Sequence, residues 1–111
     1  MNRGDVVVSA APRDYGKPRP ALIVQSDLFN ATHASVVICP ITSYLVEAPL
    51  FRLSIEPGPE NGLKTESQIM VDKVTAVRRT RIGRRIGRLR NSQMAQVDQA
   101  LRTWFDLGIP R

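Results

Sequence analysis

Residues 16–24, Gly-Lys-Pro-Arg-Pro-Ala-Leu-Ile-Val, predict a rigid turn that leads into a buried strand. Proline fixes its own φ and disfavours helix at the residue before it, so Arg19, between two prolines, is held extended. The apolar run that follows is typical of a strand buried on both faces. A guanidinium on so fixed a backbone is suited to clamping a phosphate, because it presents several donors in a planar fork. The alternative is that Arg19 caps a strand edge and pairs with a carboxylate.

Six further segments carry short apolar or alternating patterns that are typical of strands, and turns rich in Gly, Pro, Asn or Asp separate them. Pro40, near the end of one segment, predicts an edge strand or a bulge, because proline cannot donate to the ladder. Residues 28–34 are predicted as a loop or a single helical turn, and residues 56–62 carry the strongest turn signal. The predicted strands are 5–9, 20–26, 35–41, 51–55, 68–71, 75–77 and 84–88.

A single apolar stripe near the end of the chain predicts one helix, with Asn91 or Ser92 as its N-cap and Gly108 with Pro110 as its terminator. We expect this stripe to pack on the sheet. Several short strands followed by one terminal helix predict a mostly β fold with a C-terminal helix, in which a small antiparallel sheet is strongly bent into a barrel. The stripe consists of Met94, Val97, Leu101, Trp104 and Phe105.

Length and composition are those of an ordinary globular protein. The 111 residues predict one domain, 1–111, and 42% of them are hydrophobic. No apolar run approaches the roughly 20 residues that span a bilayer, and residues 1–5 lack the organisation of a signal peptide, so a cytoplasmic location is expected. The single cysteine, Cys39, excludes an internal disulfide and a cysteine-rich metal site.

The net charge of +6 is concentrated in residues 73–90, which we call the basic block. Eight of the sixteen Lys and Arg residues lie there, and no acidic residue does. Such a concentration favours a polyanionic partner, nucleic acid first. A solvated basic face, or a face that meets an acidic protein, is the alternative. The eight residues are Lys73, Arg78, Arg79, Arg81, Arg84, Arg85, Arg88 and Arg90.

Several kinds of chemistry find no support in the sequence. There is no cluster of His and Cys, no pair of histidines at helical spacing and no acidic cage, so no metal site and no cofactor are predicted. A phosphate-binding glycine loop and a dinucleotide fingerprint are also missing. The one histidine, His33, lies in a polar loop and is expected to be exposed. Any catalysis must therefore use Arg, Lys, Thr, Ser, Asp, Glu or Tyr.

Four motifs, in order and at matching spacing, resemble the MazF/PemK family of toxins. They are Arg-Gly-Asp-Val-Val-Val at 3–8, the segment 15–27 that contains Arg19, Pro-Ile-Thr-Ser at 40–43, and Gln-Ile-Met-Val-Asp-Lys at 68–73. The resemblance implies a small SH3-like barrel, related in fold to the gyrase poison CcdB, that forms a homodimer. It further implies a metal-independent endoribonuclease that cuts single-stranded RNA at short sequences and is neutralised by a cognate antitoxin.

The same resemblance assigns residues to roles. Arg19 and Thr42 match the catalytic arginine and threonine of the family, and Asp72 matches an acidic residue that some assign as the base. Met70 departs from the arginine that some PemK members carry there, and the loop at 10–17 lacks the histidine of some relatives. Both departures leave open which residue takes the proton. Without the resemblance, Thr42 and its neighbour Ser43 are interpreted as a turn held by side-chain-to-backbone bonds.

RNA contacts are expected from residues near this pair. Tyr15 is the preferred ring for stacking an unpaired base and Tyr44 the second, with Lys17, Ser43 and Lys73 as further contacts. The basic block is expected to hold flanking phosphates or an acidic antitoxin tail. By hypothesis, the 2′-hydroxyl attacks the neighbouring phosphorus and leaves a 2′,3′-cyclic phosphate and a 5′-hydroxyl. Two alternatives remain open, a CcdB-like binder that poisons a topoisomerase and a non-catalytic RNA-binding barrel.

Overall fold

The computed structural model describes residues 1–10 and 17–108. Within these residues the chain forms seven strands and two helices, joined in two places by a turn of 3-10 helix, at Val71–Lys73 and Arg79–Arg81. The strands are β1 (Asp5–Ser9), β2 (Arg19–Ile23), β3 (Ser35–Thr42), β4 (Arg52–Ile55), β5 (Ser67–Met70), β6 (Thr75–Arg78) and β7 (Ile82–Arg88). The helices are α1 (Asp27–Asn30), a single turn, and α2 (Asn91–Phe105).

The strands form one antiparallel sheet in the order β4-β5-β3-β2-β1-β7, with β6 paired to β3 off this path. Each predicted strand is present, β1 with the predicted bounds and the others with an end shifted by one to three residues. The sheet wraps around a core that it shares with α2, and in the described part of the chain no pairing joins β7 to β4 to close it. None of the described helices has the length and apolar character needed to cross a bilayer.

Strand β2 is buried on both faces, as its continuous apolar run predicts. Leu22 and Val24 belong to the larger core cluster, which includes residues of α2, whereas Ala21 and Ile23 belong to a second cluster on the other face. Alternate residues of a strand point to opposite faces, so a strand that serves two cores must be apolar at every position. Strand β2 is also paired on both edges, with β1 and with β3.

The prediction that Pro40 marks an edge strand is wrong, because β3 is paired along both of its edges. On one edge Pro40 lies opposite Ala21 of β2. On the other edge β3 pairs with β6 as far as Ile38 and with β5 from Ile41 onward. Pro40 therefore lies in the interval where β3 changes partners, and a missing N–H is tolerated there.

The predicted helix exists, but its N-cap is Arg90 rather than Asn91 or Ser92. The Gln93 side-chain Oε1 accepts a hydrogen bond from the Arg90 backbone N–H at 2.9 Å, so the cap is supplied from inside the helix. The helix ends at Phe105, where Asp106 adopts a left-handed conformation with φ of 56°. Pro110, predicted to terminate the helix, lies outside the described residues.

Three of the five residues of the apolar stripe pack as predicted. Met94 and Val97 are buried and Leu101 packs against the core, whereas Trp104 and Phe105 are 46% and 51% exposed. The Trp104 ring lies against the half-buried Phe51, with the two ring centroids 5.4 Å apart. The helical period continues past the last point at which the sheet can cover it, and periodicity carries no information about where the sheet ends.

The Arg3-Gly4-Asp5 motif has a structural role, because Asp5 is a buried anion at the start of β1. Its carboxylate accepts from the Asn2 backbone N–H at 2.8 Å and from Arg85 and Arg88, each at 3.0 Å. Burial alone raises the pKa of a carboxyl, but these bonds outweigh it, so the pKa of Asp5 lies below its ordinary value of 3.8. Asp5 therefore fastens β1 to β7 in its ionised form.

We expect Asp5→Asn to lower the free energy of unfolding at neutral pH by about 1–3 kcal/mol, because the charge-assisted bonds to the two arginines are lost. A carboxyl with a depressed pKa stabilises the fold above its unfolded pKa and ceases to do so as the pH falls through the folded pKa. The difference between the variant and the parent should therefore shrink at about pH 3. Urea denaturation at both pH values measures it.

The exposed pair of Glu60 and Arg90, joined at 3.2 Å, provides the control. Glu60→Gln should change stability by no more than about 0.5 kcal/mol, because exposed ion pairs contribute little. Equal losses for Asp5→Asn and Glu60→Gln at neutral pH would contradict the role assigned to Asp5.

Candidate nucleic-acid groove

The start of β2, the end of β3, the segment after Asn61 and strand β7 together enclose a groove of about 450 Å³. Its described lining residues are distant in the sequence and extend from Val8 to Ile86. Its polar members are Arg19, Thr42, Ser43, Lys64, Thr65, Ser67 and Arg84, and the apolar ones include Val8, Pro18, Pro20, Ile41, Leu63 and Ile86.

The pairing of β2 with β3 explains why Arg19 and Thr42 lie together. Ala21 is opposite Pro40, and Ile23 is opposite Ile38. This pairing ends at Ala21 and Pro40, two residues short of Arg19 and of Thr42. Both residues therefore lie just beyond the same end of the ladder, and both line the groove. The two residues predicted as catalytic share one site, although 23 positions separate them in the sequence.

The hydroxyl of Thr42 also forms the local turn that the alternative interpretation describes. Thr42 Oγ1 accepts a hydrogen bond from the Tyr44 backbone N–H at 3.0 Å. A hydroxyl that accepts one bond still has a proton to donate, and the bond it accepts fixes its position. The turn and the groove function are thus compatible, since Thr42 can donate into the groove from a fixed place.

Gln68, which sequence reasoning missed, anchors the loop that follows. Its buried side chain accepts from the Val46 backbone N–H at 3.0 Å and donates to the Val46 backbone oxygen at 2.8 Å. The loop is thus anchored by Thr42 at one end and by Gln68 at Val46. The Tyr44 side chain, within this loop, is 77% exposed. The sequence offered one signal for this role, a glutamine at the start of a predicted strand. It did not indicate the partner, because Val46 lies 22 residues away.

The opposite wall of the groove is held by Asn61, a second residue that the sequence analysis missed. Its buried side chain accepts from the backbone N–H groups of Gly58 at 3.1 Å and Leu63 at 2.9 Å, and donates to the Glu56 oxygen at 2.9 Å. One side chain thus satisfies three backbone groups of the predicted turn, which fixes the segment that follows it along the groove.

This wall lies against β7 at a distance that only glycine permits. A Cβ on Gly87 would lie 2.2 Å from the Asn61 carbonyl carbon, and a Cβ on Gly62 would lie 2.1 Å from the Ile86 oxygen. Gly62 also has a φ of +71°, which favours glycine. The two backbones touch directly, so the separation between this wall and β7 is fixed.

The polar character of the groove is cationic. Arg19, Lys64 and Arg84 line it, and no carboxylate or imidazole is among its lining residues in the described ranges. A cleft lined by one sign of charge, with apolar walls, focuses the field on a ligand of opposite charge. This arrangement suits a polyanion.

The other predicted contact residues are placed differently. Lys17 is exposed beside Pro18 but does not line the groove, and Lys73 is exposed elsewhere. Tyr15 lies outside the described residues. Asp72 does not line the groove either. Its carboxylate accepts two hydrogen bonds from Arg52, at 2.8 and 3.2 Å. The roles proposed for these residues stay predictions.

The basic block is largely committed to holding the fold together. Arg79 donates to the backbone oxygens of His33 and Asn30, and Arg81 donates to that of Ala10. Arg85 and Arg88 bind Asp5, and Arg90 binds Glu60. Among the eight basic residues of the block, Arg84 is the one that lines the groove. Charge counted along the sequence therefore overstates the charge that faces a ligand.

Two further groups bear on the chemistry. Cys39 is buried, and burial raises the pKa of its thiol to about 12, so it is not a thiolate nucleophile. Within the part of the chain that the structure covers, no three His, Cys, Asp or Glu side chains are grouped to hold a metal ion.

A groove lined by cations and hydroxyls in a small, mostly β protein with a terminal helix suits a polyanionic strand. Residues 2–105 match the family described as PemK-like, MazF-like toxins of type II toxin–antitoxin systems. The chain belongs to this family, as the four motifs predict.

Individual relatives agree with this assignment. The chain is 50% identical over 109 residues to a protein from Mycolicibacterium smegmatis named "Probable endoribonuclease MazF", with 97% of this chain and 99% of the relative covered. Among solved structures, the Mycobacterium tuberculosis toxin MazF-mt6 superposes with a TM-score of 0.82 at 24% identity over 95% of this chain and 99% of that one. A mycobacterial endoribonuclease in complex with its cognate antitoxin gives a TM-score of 0.79 at 23% identity, with 99% of both chains covered. The predicted fold class is confirmed.

The contact between Gly87 and Asn61 generates a prediction about the groove wall. We expect Gly87→Ala to lower the free energy of unfolding by about 3 kcal/mol or more, because the new Cβ meets backbone that cannot move aside. Gly58→Ala is the matched control, since its nearest neighbour is the flexible Glu60 carboxylate at 3.0 Å. Chemical denaturation of both variants measures the difference, and equal midpoints would contradict the close approach.

Proposed function

We propose that this chain is a toxin endoribonuclease that cleaves single-stranded RNA in the cationic groove, at a phosphate held between Arg19 and Thr42. The observation that carries this proposal is that both residues, at the same end of the β2–β3 pairing, line a cationic groove with no carboxylate among its described lining residues. Family membership and the endoribonuclease names of the relatives support the same activity.

The reaction that fits this groove is attack by the 2′-hydroxyl on the adjacent phosphorus. A bond forms between the 2′-oxygen and phosphorus, and the bond from phosphorus to the 5′-oxygen breaks. A base accepts the 2′-hydroxyl proton and the leaving 5′-oxygen gains a proton, so the products are a 2′,3′-cyclic phosphate and a 5′-hydroxyl. The nucleophile comes from the substrate itself, so the protein has to orient the ribose and stabilise charge.

Arg19 is assigned to the developing charge on the non-bridging oxygens. A fixed cation aimed at that charge stabilises the transition state more than the ground state, and the guanidinium stays protonated throughout. Thr42 donates its hydroxyl proton to a phosphate oxygen from the position that the Tyr44 amide fixes, which favours in-line geometry. In this proposal no metal takes part, because Arg19 supplies the positive charge.

We expect Arg19→Ala to lower kcat by about 10²- to 10³-fold, the usual cost of removing one donor to an oxyanion. Thr42→Val should lower kcat as well, and Thr42→Ser should recover most of it because the hydroxyl returns. The assay is cleavage of a mixed single-stranded RNA in EDTA, with the ends of the products identified. Arg78→Ala is the control, since Arg78 is exposed and does not line the groove.

Each outcome of this assay is decisive. No cleavage by the parent protein would overturn the proposed function and leave the two alternatives, a topoisomerase-poisoning binder and a non-catalytic RNA-binding barrel. Cleavage that survives in Arg19→Ala would overturn the site and spare the function. Cleavage lost in EDTA and restored by a divalent ion would overturn the metal-independent mechanism.

The proton acceptor is assigned by a second experiment. A base role for Asp72 requires RNA binding to release it from Arg52, because the two are paired outside the groove. A purely structural role for Asp72 predicts that Asp72→Asn and Arg52→Ala lower the melting temperature alike and leave kcat within tenfold of the parent. A loss of about 10²- to 10⁴-fold in kcat for Asp72→Asn alone would instead assign Asp72 as the general base.

RNA recognition in this proposal uses unpaired bases, because their faces can stack on exposed rings. Tyr44 offers such a ring beside Ser43, and its backbone is anchored through Thr42 and Gln68. Tyr15, Lys17 and Lys73 are proposed as further contacts to the strand. In this proposal, contacts between the protein and these unpaired bases determine which RNA class is cut and at which sequence.

The proposal also includes partners. A homodimer and a cognate antitoxin follow from family membership, and one relative of the same fold is described in complex with its antitoxin. An acidic antitoxin segment is attracted to the same groove as RNA, so it would inhibit by occlusion. A cytoplasmic location, where mRNA and antitoxin are both present, is proposed with it.

A further inference from the structure

Strand β7 separates two adjacent arginines onto opposite faces. Arg85 donates to Asp5 at 3.0 Å, which places its side chain against β1. Arg84, one residue earlier, lines the groove together with Ile86. Arg85 does not line the groove, so the two adjacent arginines serve different partners.

Arg84 carries a charge that the described part of the fold does not neutralise. Three other arginines at this end of the basic block, Arg85, Arg88 and Arg90, each form an ion pair with a carboxylate. Arg84 is exposed, no ion pair joins it to a described residue, and no carboxylate lines the groove beside it. An arginine in this position is available to bind an anion from outside the chain.

Lys64 presents a second such cation on the facing wall. It is exposed, it follows the turn that Asn61 holds, and it lines the same groove. The wall that carries Lys64 touches β7 through Gly62 and Gly87, so the backbones that bear Lys64 and Arg84 are fixed relative to each other. With the backbones already held together, only side-chain freedom is lost when both cations bind one anion.

We propose that Arg84 and Lys64 form a second phosphate subsite, which binds the phosphate next to the scissile one. The inference rests on the proposed function. A single-stranded RNA carries one phosphate per nucleotide, and the groove of about 450 Å³ has more cations than one phosphate with Arg19 and Thr42 requires. Two anchored phosphates hold the intervening ribose in a fixed orientation, which in-line attack needs.

The test uses an RNA oligonucleotide that spans a cleavage site mapped on a long transcript, with a 2′-deoxy sugar at the attacking nucleotide to prevent cleavage. We expect Arg84→Gln and Lys64→Gln each to weaken its binding by about tenfold, the usual scale for one charge-assisted contact. The slope of log Kd against log salt concentration should fall by about 0.7 for each variant. Arg78→Gln, with the same loss of charge outside the groove, should change neither quantity as much.

A second arm locates the contact. A single neutral methylphosphonate is placed at each phosphate of the oligonucleotide in turn, and binding is measured for the parent and for Arg84→Gln. At one phosphate adjacent to the scissile one, the substitution should weaken binding by the parent and have no further effect on Arg84→Gln. The same pattern at the scissile phosphate itself would place Arg84 in the first site and overturn a second subsite.

Fold and function are checked separately. Arg84→Gln and Lys64→Gln should keep the melting temperature of the parent, because these exposed side chains make no ion pair within the described residues. Binding and salt slopes equal to those of Arg78→Gln, in a parent that cleaves RNA, would overturn this inference alone. A parent that neither cleaves nor binds RNA would overturn the proposed function and this inference together.

Discussion

The antiparallel register between β2 and β3 is the constraint on which the groove depends. It brings Arg19, on a proline-braced backbone, into the same groove as Thr42, whose hydroxyl is fixed by its own turn. A slip of one residue would move one of these side chains to the other face of the sheet. Burial of β2 on both faces opposes such a slip, because every one of its apolar residues would then leave its cluster.

The rest of the groove is built by contacts that leave little freedom. The Asn61 side chain satisfies three backbone groups of its turn, and the glycines at 62 and 87 bring that turn against β7. Gln68 does the same for the loop after Thr42. Groups that are already fixed before the ligand arrives can stabilise developing charge without reorganising, which is what electrostatic catalysis requires.

Most arginines of the basic block donate to acceptors within the fold. Asp5, a single buried carboxylate, forms ion pairs with two arginines of the basic block, and Glu60 forms one with a third. Two further arginines of the block donate to backbone oxygens near α1 and after β1. What remains facing the groove is a small set of cations with no acid among the described lining residues. The sequence is strongly basic, but in the described part of the chain Arg84 is the one residue of the basic block that lines the groove.

The sequence by itself determined the strand content, the burial of β2, the extended backbone at Arg19 and the existence of α2, because each depends on local periodicity or on proline geometry. Its motifs also determined the family. The tertiary structure alone decided that Arg19 and Thr42 line one groove, that Asp72 pairs with Arg52 and that Arg84 lines the groove while Arg85 does not. It also decided that the apolar stripe of α2 continues beyond the sheet, so that Trp104 is exposed. These are contacts between distant segments, fixed by strand register and by the extent of the sheet, and a local pattern of residues contains neither.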